Sequence, residues 1–98
     1  MKIDINKNDS EIIITPIGRL DSTTCDEFSD FLNESITEDI NKIVIDFSNV
    51  DFISSKGLRV LVSLYKNLNG RKLELTNPNV SVLEVLRLSG LLKVIDVK

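Results

Sequence analysis

The chain has 98 residues, 42% of them hydrophobic, and this length accommodates a single domain, which we expect to span residues 1–98. A net charge of −3, from 15 acids and 12 bases of mixed order, excludes a typical nucleic-acid binder, and the absence of histidine excludes Ser-His-Asp catalysis and the common zinc sites. The single cysteine excludes an internal disulfide. The sequence has no signal-peptide pattern and no apolar run near the roughly 20 residues of a membrane span. We therefore expect a cytoplasmic protein with no membrane insertion.

The first part of the chain predicts a β-hairpin. Residues 2–6 alternate between polar and apolar side chains and are typical of an edge strand. A polar turn over residues 6–10 leads into Glu11–Ile17, whose unbroken isoleucines predict a strand buried on both faces. We expect Gly18–Asp21 to end that strand.

An amphipathic helix and an apolar strand follow. Thr24 and Glu27 have the spacing of a capping box at the helix start. The apolar positions that share one face of this helix are Cys25, Phe28, Leu32 and Ile36. On this face Cys25 is expected to be a small buried residue rather than a reactive thiol. Ile43–Phe47 then predicts a short strand, and Ser48–Asp51 a turn-like connection, with Val50 and Phe52 expected to be buried.

A second, strongly apolar helix is predicted from about Lys56 to Asn69, ended by Gly70. Its core-facing stripe is expected to consist of Leu58, Leu61, Val62, Tyr65 and Leu68. The stripe leaves a narrow polar face for solvent.

The last third of the chain predicts a strand, a short helix and a final strand. Lys72–Thr76 alternates in the manner of a strand. Ser81 and Glu84 again have capping-box spacing, and Gly90 is the expected C-terminal cap of the helix. Leu92–Val97 is expected to form the last strand.

These elements give the order β-β-α-β-α-β-α-β, a single α/β domain. A hairpin followed by strand–helix units predicts a mixed sheet of about five strands with three helices and largely parallel crossovers. Such folds place their sites in loops at the carboxyl ends of parallel strands. Asp21 and Ser54–Ser55 both fall in loops of this kind.

The segment Ser54–Gly57 joins a strand to the second helix and carries the strongest functional signal. Taken alone, the spacing favours an ordinary serine N-cap. Gly57 inside the first turn indicates close approach by another element or by a partner. The P-loop, nucleophile-elbow and Ser-x-x-Lys patterns are absent, and a receiver domain is disfavoured because an acidic pair is missing after the isoleucine-rich strand.

Motifs in this order resemble those of STAS domains, and within them the bacterial anti-sigma factor antagonists. The matching segments, which together cover nearly the whole chain, are Gly18–Asp21, Ile45–Val50, Phe52–Leu58, Asn77–Pro78 and Val85–Leu91. The resemblance implies a STAS fold for residues 1–98.

The resemblance also implies roles for individual residues. In members of this family, the serine two positions before the glycine of the motif is phosphorylated. Gly57 matches that glycine, so the implied acceptor is Ser55, with Ser54 as the alternate acceptor. The implied partner-binding residues are Asp21, Ser54, Lys56, Gly57 and Leu58. Asp21 could equally be a helix cap, and the pattern favours core packing for Leu58. The chain departs from the family in having Ser54 where aspartate is common and Lys56 where a small residue is usual.

A partner switch is the function that the resemblance implies. The unmodified protein binds an anti-sigma factor serine kinase and so frees a sigma factor; phosphorylation ends binding, and a PP2C-type phosphatase resets the protein. The chain is then a kinase substrate, not an enzyme, and no cofactor is implied. Two alternatives keep the fold: a constitutive interaction subunit, for example of a phospholipid-transport ATPase, and a STAS domain that senses a small molecule or a nucleotide.

Overall fold

The computed structural model describes all residues from Met1 to Lys98. Its strands are β1 (Lys2–Asn8), β2 (Glu11–Leu20), β3 (Lys42–Asp46), β4 (Val50–Ile53), β5 (Lys72–Thr76) and β6 (Asp96–Val97). Its helices are α1 (Cys25–Ser35), α2 (Ser55–Asn67) and α3 (Val80–Ser89), and a single turn of 3-10 helix covers Leu91–Lys93. The predicted mixed α/β architecture with three helices is confirmed. No helix has the length and apolar character needed to cross a membrane.

The sheet is built around β2 and β3. Its strand order is β1-β2-β3-β5-β6, with β1 antiparallel to β2 and the remaining neighbours parallel. The predicted hairpin is therefore present at one edge. The strand β4 lies outside this path and pairs in parallel with the last residues of β2. The sequence predicted a turn-like connection over Ser48–Asp51 and no strand here, because four residues of mixed polarity give little strand signal. Val50 is buried as expected, whereas Phe52 is only half-buried.

The strand β2 differs from the prediction in two ways. Its side chains alternate, with Ile12 and Ile14 buried and Ile13 only half-buried, so burial on both faces was wrong. The strand also continues past Gly18 to Leu20, through an irregularity in register after Gly18. Gly18 has a φ of +104°, a conformation open to glycine, and bends the strand without ending it.

One face of the sheet carries the core. Ile12, Ile43 and Leu73 lie side by side across three strands, and Ile14, Ile45 and Leu75 form the next row. Both rows belong to a cluster of 20 buried residues that includes Phe28 and Leu32 of α1 and Leu61 and Leu68 of α2. The opposite-face residues Val44 and Glu74 lie outside this cluster. Within the predicted stripe of α2, Tyr65 is 39% exposed and does not contribute to the core as expected.

The C-terminal segment shows the other corrections. The N-cap of α3 is Asn79, whose side chain accepts a hydrogen bond from the Val82 amide, so the predicted Ser81–Glu84 capping box does not form. Gly90 caps the helix as predicted. The prediction of one strand over Leu92–Val97 is wrong, because only Asp96–Val97 is extended. The preceding backbone forms helical turns, in which the Ile95 amide donates to the Leu91 carbonyl at 2.9 Å. These turns bury Leu91 and Ile95 together.

Candidate functional site

Two loops emerge side by side from the carboxyl ends of β2 and β4. Leu20 pairs with Ile53 in the register of these strands, and the Ser54 amide extends the ladder by donating to the Leu20 carbonyl at 2.8 Å. The loop from Asp21 to Thr24 therefore stands beside the loop at Ser54. The structure brings together the two regions that the sequence singled out, and β4, which the sequence did not predict, is the element that joins them.

The two adjacent serines are in different environments. Ser54 is the N-cap of α2, is half-buried, and its Oγ accepts a hydrogen bond from the Gly57 amide at 3.2 Å. Ser55 is the first helical residue, is exposed, and its hydroxyl makes no hydrogen bond within the protein. Ser54 therefore has a structural task, whereas the Ser55 hydroxyl is accessible from solvent.

Gly57 is buried beneath the loop. A Cβ atom at this position would lie 2.8 Å from Cγ1 of Ile53 and 2.9 Å from the carbonyl oxygen of Leu20. Real Cβ atoms do not approach other atoms so closely, so α2 can start against β2 and β4 in this way with glycine at position 57. Of the two explanations that the sequence left open, the approach within the chain accounts for the glycine. Its direct contact with a partner stays a prediction.

The start of α2 attracts negative charge. No acidic residue lies in its first turn, and the amides of Ser55 and Lys56 have no acceptor within the protein. Helix N-termini with free amides favour anions through both hydrogen bonding and the helix dipole. Lys56 adds a cation, and its Nζ lies 3.2 Å from Oδ1 of Asp26 on α1. An anion on Ser55 would meet this favourable environment.

Asp21 organises the neighbouring loop. Its Oδ1 accepts hydrogen bonds from the amide and hydroxyl of Thr23 at 2.9 and 2.7 Å, and its Oδ2 lies 3.2 Å from Nε of Arg19. Hydrogen bonds from Thr23, together with the Arg19 guanidinium, lower the pKa of Asp21 to about 2. The carboxylate is ionised at neutral pH. The Asp21 side chain holds the turn before α1 and does not cap the helix, so the helix-cap alternative is wrong, and its place in a partner surface stays a prediction.

The predicted Thr24–Glu27 capping box is wrong. Thr24 occupies the N-cap position of α1, but its side chain accepts no hydrogen bond from an amide of the helix. Its hydroxyl instead donates to the Arg19 carbonyl at 2.6 Å and accepts from the Asp21 amide. Glu27 instead binds the amino group of Met1 at 2.6 Å. The Thr24 hydroxyl and the Glu27 carboxylate therefore bind groups outside α1, and the spacing of the two residues in the sequence does not indicate these contacts.

Cys25 lies fully buried behind the two loops. Burial raises the pKa of its thiol, and the neighbouring Ser54 hydroxyl and Lys56 charge only partly oppose this. A thiol that is protonated and inaccessible is unreactive. The expectation of a small buried residue agrees with this environment.

Further residues complete the rim of the site. Leu58 is half-buried and packs against the core, as the sequence favoured. Arg19, which sequence analysis did not single out, stacks its guanidinium 4.4 Å above the ring of Phe52 on β4. Asn79 donates to the carbonyls of Val50 and Asp51, at 3.3 and 3.4 Å. Only the strand register, which juxtaposes Arg19 and Phe52, could have indicated the stacked pair.

The site is a surface rather than a cavity. The largest cleft, about 400 Å³, lies at the other end of α2, where Tyr65 and Gly70 line it. No group of acidic or cysteine side chains in the chain converges as a metal site would require. The exposed Ser55 hydroxyl lies outside the clefts of the protein and is accessible to another protein.

Comparisons with known proteins match nearly the whole chain. The sequence model of the STAS domain matches residues 2–98. BtrV of Bordetella bronchiseptica, provisionally named an anti-sigma factor antagonist, is 30% identical over 101 residues, which cover 99% of this chain and 85% of BtrV.

Solved structures show the same fold. The crystal structure of an anti-sigma factor antagonist from Mycobacterium paratuberculosis has a TM-score of 0.90 at 21% identity, covering 98% of this chain and 83% of that one. SpoIIAA of Bacillus in its phosphorylated form has a TM-score of 0.76 at 18% identity, covering 99% of this chain and 91% of that one. From its match to the STAS model over almost its whole length, together with this fold, the chain belongs to the STAS domain family.

Proposed function

We propose that this protein is an anti-sigma factor antagonist whose unphosphorylated form binds an anti-sigma factor serine kinase and thereby releases a sigma factor. The name given to BtrV, which shares 30% of its residues with this chain, supports the class of function. The exposed rim of two adjoining loops supports a protein partner. In this role the chain acts in the cytoplasm, as one domain over residues 1–98, as a substrate and binding partner and not as an enzyme.

The difference between the two serines carries the proposal. Ser55 has an exposed hydroxyl without a partner, whereas Ser54 is half-buried and caps α2 through the Gly57 amide. We therefore assign phosphorylation to Ser55 and a structural role to Ser54. SpoIIAA, a protein of the same fold, has been solved in a phosphorylated form, which supports modification as the means of control.

Local charge is sufficient to explain the switch. A phosphoserine carries roughly −1.5 to −2 charges at pH 7. Within this chain, the free amides of α2 and the Lys56 ammonium stabilise that charge. A partner surface packed over Ser55 would have to bury it unpaired. A loss of about 1.4 kcal/mol weakens binding tenfold, so no refolding is needed. A PP2C-type phosphatase would restore the binding form.

The remaining residues of the proposed surface contribute in different ways. Asp21, on the neighbouring loop, and Lys56, next to Ser55 in sequence, contribute charges, and Leu58 offers a half-buried apolar contact. Gly57 acts through its backbone, since it lets α2 start close to the sheet. Ser54 holds the loop in place.

The proposal is tested by mass spectrometry after incubation with a candidate anti-sigma serine kinase of the same organism and ATP. We expect the unmodified protein and Ser54→Ala to gain one phosphate, and Ser55→Ala to gain none. Ser54→Ala also serves as a structural control, because loss of the cap should lower the free energy of unfolding by about 1 kcal/mol.

A binding measurement completes the test. Ser55→Asp should weaken binding to the same kinase at least tenfold relative to Ser55→Ala. Phosphate transfer to Ser54 would contradict the assignment of the acceptor. Stable binding without transfer to either serine would overturn the switch and favour a constitutive interaction subunit.

A further inference from the structure

The outer edge of β1 has no partner in the fold. β1 pairs with β2 along all seven of its residues and with no other strand. Ile5, at its centre, is 47% exposed. Because Ile3 lies opposite the buried Pro16, the odd-numbered residues of β1 face the side of the sheet that α1 covers. A free edge of this length is a template for an added strand.

A groove lies between the start of β1 and α1. It encloses about 250 Å³, and its apolar lining consists of Met1, Ile3 and Phe31. Glu27, Asp30 and Glu34 form its rim on the helix side. These acids are spaced three and four residues apart and therefore occupy one face of α1, pointing toward the strand edge.

Two cations on this side of the sheet are already paired, one at the groove and one beyond it. The Met1 amino group lies 2.6 Å from Oε2 of Glu27, and Nζ of Lys7 lies 3.6 Å from Oδ2 of Asp39. Asp30 and Glu34 form no ion pair within the chain, because the nearby cations Met1, Lys7 and Lys56 pair with other carboxylates. The helix α1 itself contains no Lys or Arg that could neutralise them.

We propose that the β1 edge binds an extended segment of a partner protein that carries Lys or Arg at alternate positions. The segment pairs its backbone with β1 and directs its cations over Asp30 and Glu34. The aliphatic stems of those side chains cover the apolar lining of the groove. This surface goes beyond the proposed switch, because it involves neither Ser55 nor its modification.

Charge argues against a second copy of the chain at this edge. Antiparallel pairing of two β1 strands would align the acidic faces of two α1 helices along one seam. The helix-side row of β1 offers Lys7 alone as a side-chain cation, and Lys7 is already paired with Asp39. Like charges across such a seam destabilise it. A basic partner satisfies the same acids.

The test uses the whole protein, labelled with ¹⁵N, and a short peptide of alternating Lys and Thr. We expect the peptide to shift and protect from exchange the backbone amides of β1, with smaller shifts along α1. A peptide of alternating Glu and Thr should leave these amides unchanged. Asp30→Asn combined with Glu34→Gln should weaken binding about fivefold, the effect of two partly screened ion pairs.

Matched variants make the result decisive. Asp9→Asn combined with Asp51→Asn removes the same charge from exposed positions outside the groove and should leave the affinity for the peptide unchanged. Ser55→Ala should bind the peptide as well as the unmodified protein does. The proposal is overturned if the control pair weakens binding as much as the groove pair, or if the acidic peptide binds equally. It is also overturned if the shifts fall outside β1 and α1, or if the protein dimerises through β1 without peptide.

Discussion

Neighbouring residues at the start of α2 have separate tasks because a helix start leaves little freedom. Ser54 is outside the helix and turns its hydroxyl back to the Gly57 amide. Ser55 is one residue further and points its hydroxyl to solvent. Gly57 lies on the inner side, against Leu20 and Ile53. The accessible hydroxyl and the required glycine are thus two results of one packing arrangement.

Gly57→Ala tests that arrangement. Alanine favours a helix over glycine by up to about 1 kcal/mol, so propensity alone predicts stabilisation. Its Cβ would lie 2.8 Å from Ile53 and 2.9 Å from the Leu20 carbonyl. We expect the overpacking to dominate and the variant to lose about 1–3 kcal/mol in urea denaturation. Ser63→Ala, on the exposed face of the same helix, is the control and should be neutral or slightly stabilising. A more stable Gly57→Ala protein would contradict the packing argument.

Helix starts also show what sequence can and cannot predict about elements. The spacing Ser81–Glu84 is a valid capping signal, yet α3 begins at Asn79. Asn79 is the N-cap because its side chain makes two kinds of hydrogen bond. Its Oδ1 accepts from the Val82 amide, and its Nδ2 donates to the Val50 and Asp51 carbonyls of β4. The second task depends on β4, which is distant in sequence.

Two single substitutions separate these capping signals. Asn79→Ala should lower the free energy of unfolding by about 1–2 kcal/mol, because α3 loses its cap and β4 loses a donor. Ser81→Ala removes the unused cap and should change stability by less than about 0.5 kcal/mol. Thermal or urea unfolding measures both. Equal losses would indicate that the capping box of the sequence forms in solution.

At the scale of the whole molecule, one face of the sheet carries the core, and the other combines apolar side chains such as Ile13 and Val44 with charged ones. Glu74 lies on this second face, and its side chain is only 8% exposed. Its Oε2 lies 3.3 Å from Nζ of Lys98 and 3.7 Å from Nζ of Lys42. Burial acts to raise the pKa of Glu74, but these lysines and Lys72 outweigh it, and the net shift is downward.

This shift predicts a pH-dependent contribution to stability. Because the folded-state pKa is below the ordinary value of 4.5, the contribution is complete above that value and is lost as the pH falls through the folded-state pKa. Glu74→Gln should therefore lose about 1–3 kcal/mol at pH 7 and progressively less in acid. Urea unfolding across this pH range measures the difference. Glu11→Gln, on the same face without an ion pair, should show little change, and a pH-independent loss in Glu74→Gln would contradict the assignment.

The hairpin and the three helices were predictable from apolar periodicity, since they depend on local pattern, and the rule that sites follow parallel strands placed Asp21 and Ser54 in strand-to-helix loops. The strand β4 was not predictable, because Val50–Ile53 becomes a strand only by pairing with β2. The pattern of Leu92–Val97 is typical of a strand, yet Leu91 and Ile95 are buried together because the backbone between them forms helical turns. The choice between Ser54 and Ser55 required the cap geometry, which spacing alone does not give.

The helical backbone at Ser55 also determines how an enzyme could reach it. The serine is presented by a folded rim in which β2, β4 and α2 are joined by the Ser54–Leu20 hydrogen bond and the Gly57 contacts. A free peptide of the same sequence would not retain this shape. Any kinase or phosphatase acting here must therefore recognise three-dimensional shape more than a linear consensus, and specificity among related pathways would reside in surfaces far apart in the sequence.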